Sequence, residues 1–129
     1  MTIINSVLIA NRGEIAIRIS KTLNEMGIKA YGIYSKDDSS SAHLSYCSEV
    51  FELNGTGPSA YLNIDEIISL AKSKKIKAVH PGYGFLSENH AFAASCAKND
   101  IIFIGPNENT LKNFGNKAVS YTHLRAHET

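Results

Sequence analysis

Apolar residues fall along this chain in two alternating rhythms. Short β-branched runs are followed by stretches in which apolar positions recur every three or four residues. Ile3, Ile4, Val7, Leu8 and Ile9 make the first run, interrupted only by Asn5 and Ser6, and predict a strand buried on both faces. Asn11-Arg12-Gly13 stops it. Helical spacing follows over 14–26, with Ile15, Ile19, Leu23 and Met26 as the predicted buried stripe and Gly27 as the stop. Glu14 in the first turn suits the helix dipole, and Arg18, Lys21 and Glu25 mark the opposite, solvated face.

The same alternation continues downstream. A second strand is predicted over 30–34, a short helix over 42–47 and a third strand over 49–53, with a polar turn at 35–41 and a loop at 54–59. Asn63 caps the next helix, Glu66 completes a capping box, and Ile64, Ile67, Ile68 and Ala71 form its buried stripe. Lys72, Lys74 and Lys75 place positive charge at the negative end of that helix, which accounts for the cluster without a phosphate ligand. A fourth strand is predicted over 77–80. Ser87 is the predicted cap of a helix burying Phe92, Ala93, Cys96 and Ala97, ended by Lys98-Asn99-Asp100. A fifth strand over 101–104 leads through Gly105-Pro106 to a short helix carrying Leu111 and Phe114 and closed by Gly115. Strands alternating with helices predict the α/β class: a Rossmann-like three-layer sandwich with a parallel, doubly wound sheet.

One loop carries more chemistry than its neighbours. His80-Pro81-Gly82-Tyr83-Gly84-Phe85-Leu86-Ser87-Glu88-Asn89 leaves the carboxyl end of the fourth strand, where open α/β sheets bind ligands. Pro81 has no N–H for a sheet ladder, and Gly82 and Gly84 permit a tight turn and a close ligand. Tyr83, bracketed by glycines, is expected to meet a ligand or a facing domain. Phe85 either does the same or caps the end of the core.

Composition narrows the function. The 129 residues suffice for one domain, 43% are hydrophobic and 19% charged, and the net charge of +1 gives no electrostatic reason to expect nucleic acid or a membrane surface as partner. No apolar run reaches membrane-span length, and the first residues do not read as a signal peptide. Cys47 and Cys96 lack metal-type spacing and read as free cytoplasmic thiols, with Cys96 inert on an apolar helix face. The first strand-to-helix turn, Asn11-Arg12-Gly13-Glu14-Ile15-Ala16, has one glycine where a dinucleotide fingerprint needs three, and Glu14 sets a carboxylate where pyrophosphate would lie. No P-loop run is present. Ser87 with His80 or His90 lacks the nucleophile-elbow context.

Four motifs together resemble the N-terminal domain of biotin carboxylase. They are Ile9-Ala10-Asn11-Arg12-Gly13-Glu14-Ile15-Ala16, Tyr61-Leu62-Asn63-Ile64, the run from His80 to Asn89, and Phe103-Ile104-Gly105-Pro106, and the resemblance covers about 3–120. That family belongs to the ATP-grasp enzymes and occurs in acetyl-CoA, propionyl-CoA, pyruvate and related carboxylases. The resemblance implies MgATP activation of bicarbonate to carboxyphosphate, then carboxylation of the ureido nitrogen of biotin on a carrier protein. It implies that this domain packs against the ATP-grasp core as one wall of the active site. Tyr83, Gly84 and Phe85 would line the biotin side, Glu88 and Asn89 would hold the loop or cap the next helix, and Lys117 would contact ATP phosphate. Arg18, Lys21 and Glu25 would lie on the helix used in homodimers of bacterial subunits, Lys21 standing where many members have arginine.

The resemblance also implies what is missing. The magnesium-binding carboxylates, the lid over the phosphates, and the catalytic arginine and glutamate lie beyond position 129 in the family. No catalytic or metal-binding residue is therefore assigned, and the chain alone is expected to be inactive, to hold ATP, Mg2+ and biotin only weakly or not at all, and to expose apolar surface. The domain is expected over 1–118, with 119–129 a foreign or disordered tail resembling adapter read-through; His123 and His127 in it make no metal site alone. The alternative is a free-standing Rossmann-like module that binds a nucleotide or small anion without catalysis.

Overall fold

The computed structural model describes residues 4–105. In chain order these form β1 (Ser6–Ile9), α1 (Gly13–Glu25), β2 (Lys29–Tyr34), β3 (Glu49–Glu52), α2 (Ile64–Ser73), β4 (Ala78–His80), α3 (His90–Lys98) and β5 (Ile102–Phe103). Three 3-10 turns, Lys36–Asp38, Ala42–Tyr46 and Pro58–Leu62, lie in the connections around β3. All pairings are parallel and the strand order is β3-β2-β1-β4-β5. Val7 at the centre sits opposite Ala30 on one side and Ala78 on the other. The predicted fold class is the one observed. The predicted helix with Leu111 and Phe114, Lys117 and the 118/119 boundary lie outside the described residues.

Strand alternation divides the core in two. Leu8, Tyr31, Ile33 and Val79 face one way and meet Ile67, Ile68 and Ala71 of α2 and Phe92 and Cys96 of α3. Val7, Ile9, Ala30 and Ala78 face the other way and meet Ala16 and Leu23 of α1. The first side gathers sixteen buried residues and the second six. The winding explains the imbalance. Right-handed crossovers put α1 on one face over β1 and β2, and α2 and α3 on the other. Among the described residues, no helix covers β4 and β5 on the α1 side.

Helix α1 departs from its predicted stripe. Its buried residues are Ala16, Ser20 and Leu23; Ile15 and Ile19 are half-buried, and Met26 is 65% exposed. The small side chains let the helix lie close to the sheet, and the Ser20 hydroxyl is satisfied by donating to Ala16 O at 2.8 Å. The larger apolar residues flank this seam and line the uncovered half of the sheet. The cap of α3 also moves. Asn89 Oδ1 accepts the Phe92 N–H at 3.0 Å, whereas Ser87 is spent in the preceding turn, its N–H bonded to Gly84 O at 2.9 Å. Ala97, predicted buried, is exposed. The Asn63 cap forms as predicted, accepting the Glu66 N–H at 3.1 Å, although the Glu66 carboxylate binds Asn54 N–H instead of closing a box. Burial pushes the Cys47 thiol up to about 11 and the Cys96 thiol up to about 12, so neither is a ready thiolate.

His43 is the one buried side chain with an unpartnered polar atom among the described residues. It is wholly buried, its Nε2 lies 3.0 Å from Ile33 O, and its Nδ1 has no partner. Burial disfavours the charged ring and outweighs the bond from Nε2 to that carbonyl, which alone would favour it, so the pKa is held below the ordinary 6.5 and Nδ1 is left as the unpartnered acceptor. The unfolded chain therefore takes up a proton below pH 6.5 that the folded chain refuses, so stability is lost as pH falls through that value and is unchanged by this group above it. His80, also lowered by burial, adds in the same direction. Urea titrations across pH 5–8 are expected to show a flat upper half and a slope approaching about 1.4 kcal/mol per pH unit per histidine in the lower half. His43→Leu should remove its share of that slope; an unchanged slope would refute the assignment.

Candidate functional site

The carboxyl ends of the strands meet in one polar network. Arg12, after β1, donates from Nε to Asp38 Oδ2 at 2.8 Å and from Nη2 to Oδ1 at 3.0 Å, a two-point grip on a carboxylate after β2. The Tyr61 hydroxyl donates to the same Oδ2 at 2.8 Å and accepts the buried Ser35 N–H at 3.1 Å. Asp37 Oδ1 takes the Ser35 hydroxyl at 2.7 Å and the Gly57 N–H at 2.9 Å. Hydrogen bonding to Arg12 holds the Asp38 carboxyl far below the usual range, and the Gly57 N–H chiefly lowers Asp37. Burial raises the Tyr61 phenol. Both carboxylates thus favour the ionised form and brace the loops after β2 and β3, Asp38 through both oxygens and Asp37 through Oδ1.

The second structure at this edge is the glycine loop after β4. Asn11, 1% exposed at the end of β1, donates from Nδ2 to Pro81 O and to Tyr83 O, each at 2.7 Å, and its Oδ1 accepts the Arg12 N–H at 2.8 Å. The His80 Nδ1 accepts the Gly82 N–H at 3.1 Å. Gly82 and Gly84 take left-handed backbone with φ of +65° and +71°. Held this way, the Tyr83 ring projects outward and is 78% exposed.

The three loop residues singled out from sequence do not share one environment. Tyr83 and Gly84 are open to solvent. Phe85, at φ +48°, turns back and packs on Tyr61 with centroids 5.3 Å apart, which is the core-capping role. Leu86 is buried beneath it. Glu88 is exposed. Arg18 pairs loosely with Glu14 at 3.4 Å, and the Lys21 ammonium lies 5.3 Å from the centre of the Tyr46 ring. Among the described residues, no hydrogen bond joins the Ser87 hydroxyl to His80 or His90. Asn11 and Tyr61 stand in the motifs that carry the resemblance, but neither they nor Asp38 are assigned a site role from sequence. Their partners lie 23 to 72 residues away, and only the placing of an asparagine at a strand end hinted at Asn11.

Beside Tyr83 opens a groove of about 1090 Å³ along the uncovered sheet face, lined by Val7, Ile15, Ile19, Ile28 and Ile104 and by His80. It is mostly apolar, with Glu14 and Arg18 at its rim.

Residues 3–111 match the family model described as biotin carboxylase, N-terminal domain. The chain is 50% identical over 117 residues to pyruvate carboxylase of Bacillus subtilis, covering 88% of this chain and 10% of that protein. It is 46% identical over 112 residues to biotin carboxylase 2 of the same organism, covering 86% and 25%. Its structure resembles the biotin carboxylase domain of the 2-oxoglutarate carboxylase of Hydrogenobacter thermophilus, solved with MgADP, ADP and bicarbonate, with a TM-score of 0.83 at 38% identity over 87% of this chain and 25% of that one. The chain thus spans a quarter or less of each of these proteins.

Proposed function

The chain belongs to the biotin carboxylase family through its N-terminal domain, and on that premise we propose that it forms one wall of the site at which an ATP- and bicarbonate-dependent ligase carboxylates biotin on a carrier protein. The observation that carries this reading is the outward Tyr83 ring, held at the carboxyl edge of a parallel sheet by hydrogen bonds from Asn11 to the carbonyls on either side of Gly82. A flat ring with a polar tip beside an open glycine fits one side of a ureido bicycle. Phe85 serves that wall from behind, by packing Tyr61 and setting the loop's height.

Bound MgATP would supply the γ-phosphoryl group that activates bicarbonate, the source of the carboxyl carbon, with ADP as the leaving group. The described residues build no site for it. Asp38 is consumed by Arg12 and Tyr61, Asp37 is turned through Oδ1 to Ser35 and Gly57, and the turn after β1 carries Glu14 where phosphate would approach. The phosphate and magnesium ligands are assigned to the rest of the enzyme, together with Lys117, which lies outside the described residues. The partners in this reading are that remainder, the carrier protein, and a second copy docked through the α1 face bearing Arg18, Lys21 and Glu25. A cytoplasmic setting is part of the proposal and accords with two unpaired cysteines.

The test joins this chain in frame to the remainder of Bacillus subtilis biotin carboxylase 2 and follows bicarbonate-dependent ATP turnover with free biotin. Tyr83→Ala is expected to raise KM for biotin about tenfold and leave KM for ATP within about twofold. The exposed ring predicts an unchanged thermal midpoint. A biotin KM equal to that of the parent would remove the reading.

A further inference from the structure

Asn11 has no role in binding or chemistry assigned to it, yet among the described residues its side-chain amide is the only group that ties β1 to the two carbonyls flanking Gly82. We infer that Asn11 is the positioning residue of the Tyr83 loop, acting through the two hydrogens of its Nδ2; the consequence for biotin rests on the reading above. Three observations carry this. Both acceptors, Pro81 O and Tyr83 O, stand 2.7 Å from one nitrogen, which uses its full donor capacity. The Arg12 N–H, 2.8 Å from Oδ1, fixes which end of the amide faces the loop, because a flipped amide would oppose an N–H to an NH2 and an oxygen to two carbonyls. The fit is also close. A Cβ built on Gly82 would stand 2.9 Å from Nδ2, so the loop rests directly on the amide.

This arrangement demands an amide and not merely a side chain of that shape. Asparagine and aspartate are nearly isosteric, but a carboxylate offers no hydrogen and would set negative charge against two carbonyl oxygens. Alanine would leave the carbonyls unopposed and open to water. A donor role therefore predicts that Asn11→Asp is worse than Asn11→Ala. A packing role predicts the reverse, because alanine removes the volume and aspartate keeps it.

The test has two arms. In the 129-residue chain, NMR reads the carbonyl-carbon shifts of Pro81 and Tyr83 and the exchange protection of the Gly82 amide. Asn11→Asp is expected to move both shifts and to lower Gly82 protection about tenfold, with Asn11→Ala between it and the parent. Unmoved shifts, or alanine worse than aspartate, would overturn the inference, and the alanine variant alone decides it if the aspartate variant does not fold. In the joined enzyme, Asn11→Asp is expected to raise KM for biotin by the same order as Tyr83→Ala, with KM for ATP unchanged. An effect of Tyr83→Ala without one of Asn11→Asp would overturn the positioning role alone. No effect of Tyr83→Ala would instead remove the biotin reading and leave the NMR arm to decide on Asn11.

Discussion

Gly82→Ala is expected to cost about 2–5 kcal/mol, from the left-handed backbone penalty and the steric insertion together. Gly82 has φ +65°, and a Cβ there would stand 2.7 Å from Ile15 Cγ2 and 2.9 Å from Asn11 Nδ2. The isoleucine methyl is the branch on Cβ and moves only by turning χ1, which a helix restricts. The asparagine cannot yield without releasing the Pro81 or the Tyr83 carbonyl, so strain passes straight into the loop. Gly84→Ala is the matched control: φ is +71° and nothing lies within 4 Å of the added carbon, so only the backbone term of about 1–2 kcal/mol applies. Urea denaturation of the two variants measures the difference. Equal losses at both positions would mean that the contact with Asn11 has no energetic weight.

The second large effect is expected at Tyr61. It is fully buried, packs on Phe85, and joins Ser35 to Asp38 through its hydroxyl. Truncation in Tyr61→Ala removes the ring as well as the hydroxyl and should cost about 3–5 kcal/mol. Tyr61→Phe separates the two contributions. It keeps the ring, strands the buried Ser35 N–H, and should cost about 1–3 kcal/mol. Calorimetric midpoints across the pair give the split, and a Tyr61→Phe protein as stable as the parent would show that the hydroxyl bridge contributes nothing. The Arg12–Asp38 grip is partly exposed and adds about 0–1 kcal/mol at most as an ion pair, so it specifies loop placement more than it stabilises.

The elements were legible because they rest on local rules. β-branched runs gave the strands, and the Asn63 cap and Gly27 stop gave helix ends within a residue or two. What stayed hidden depends on distant chain. The buried face of α1 differs from its apolar stripe because periodicity cannot tell the residue that touches the sheet from the one beside it. Ala16 and Ser20 take the contact since small side chains allow close approach, and Met26 is left outside. Ser87 and Asn89 are both good caps, and the turns closing at Ser87 and Asn89 chose between them. The exposed Tyr83 was legible from its glycine brackets. Asn11 was not, because its two partners lie 70 and 72 residues away.

The unequal closure of the sheet divides the tolerance of this domain to mutation. Behind α2 and α3, a polar replacement at Ile67 or Phe92 meets a filled interior and is punished within the domain itself. On the opposite side, Ile19, Ile28 and Ile104 are half-buried on the smaller cluster and border an open trough, so the same change there costs the free domain less. The remaining harm is expected only if another surface settles onto that side, as proposed above. Variants at those isoleucines are then expected to lose less in a folding screen than in assembly.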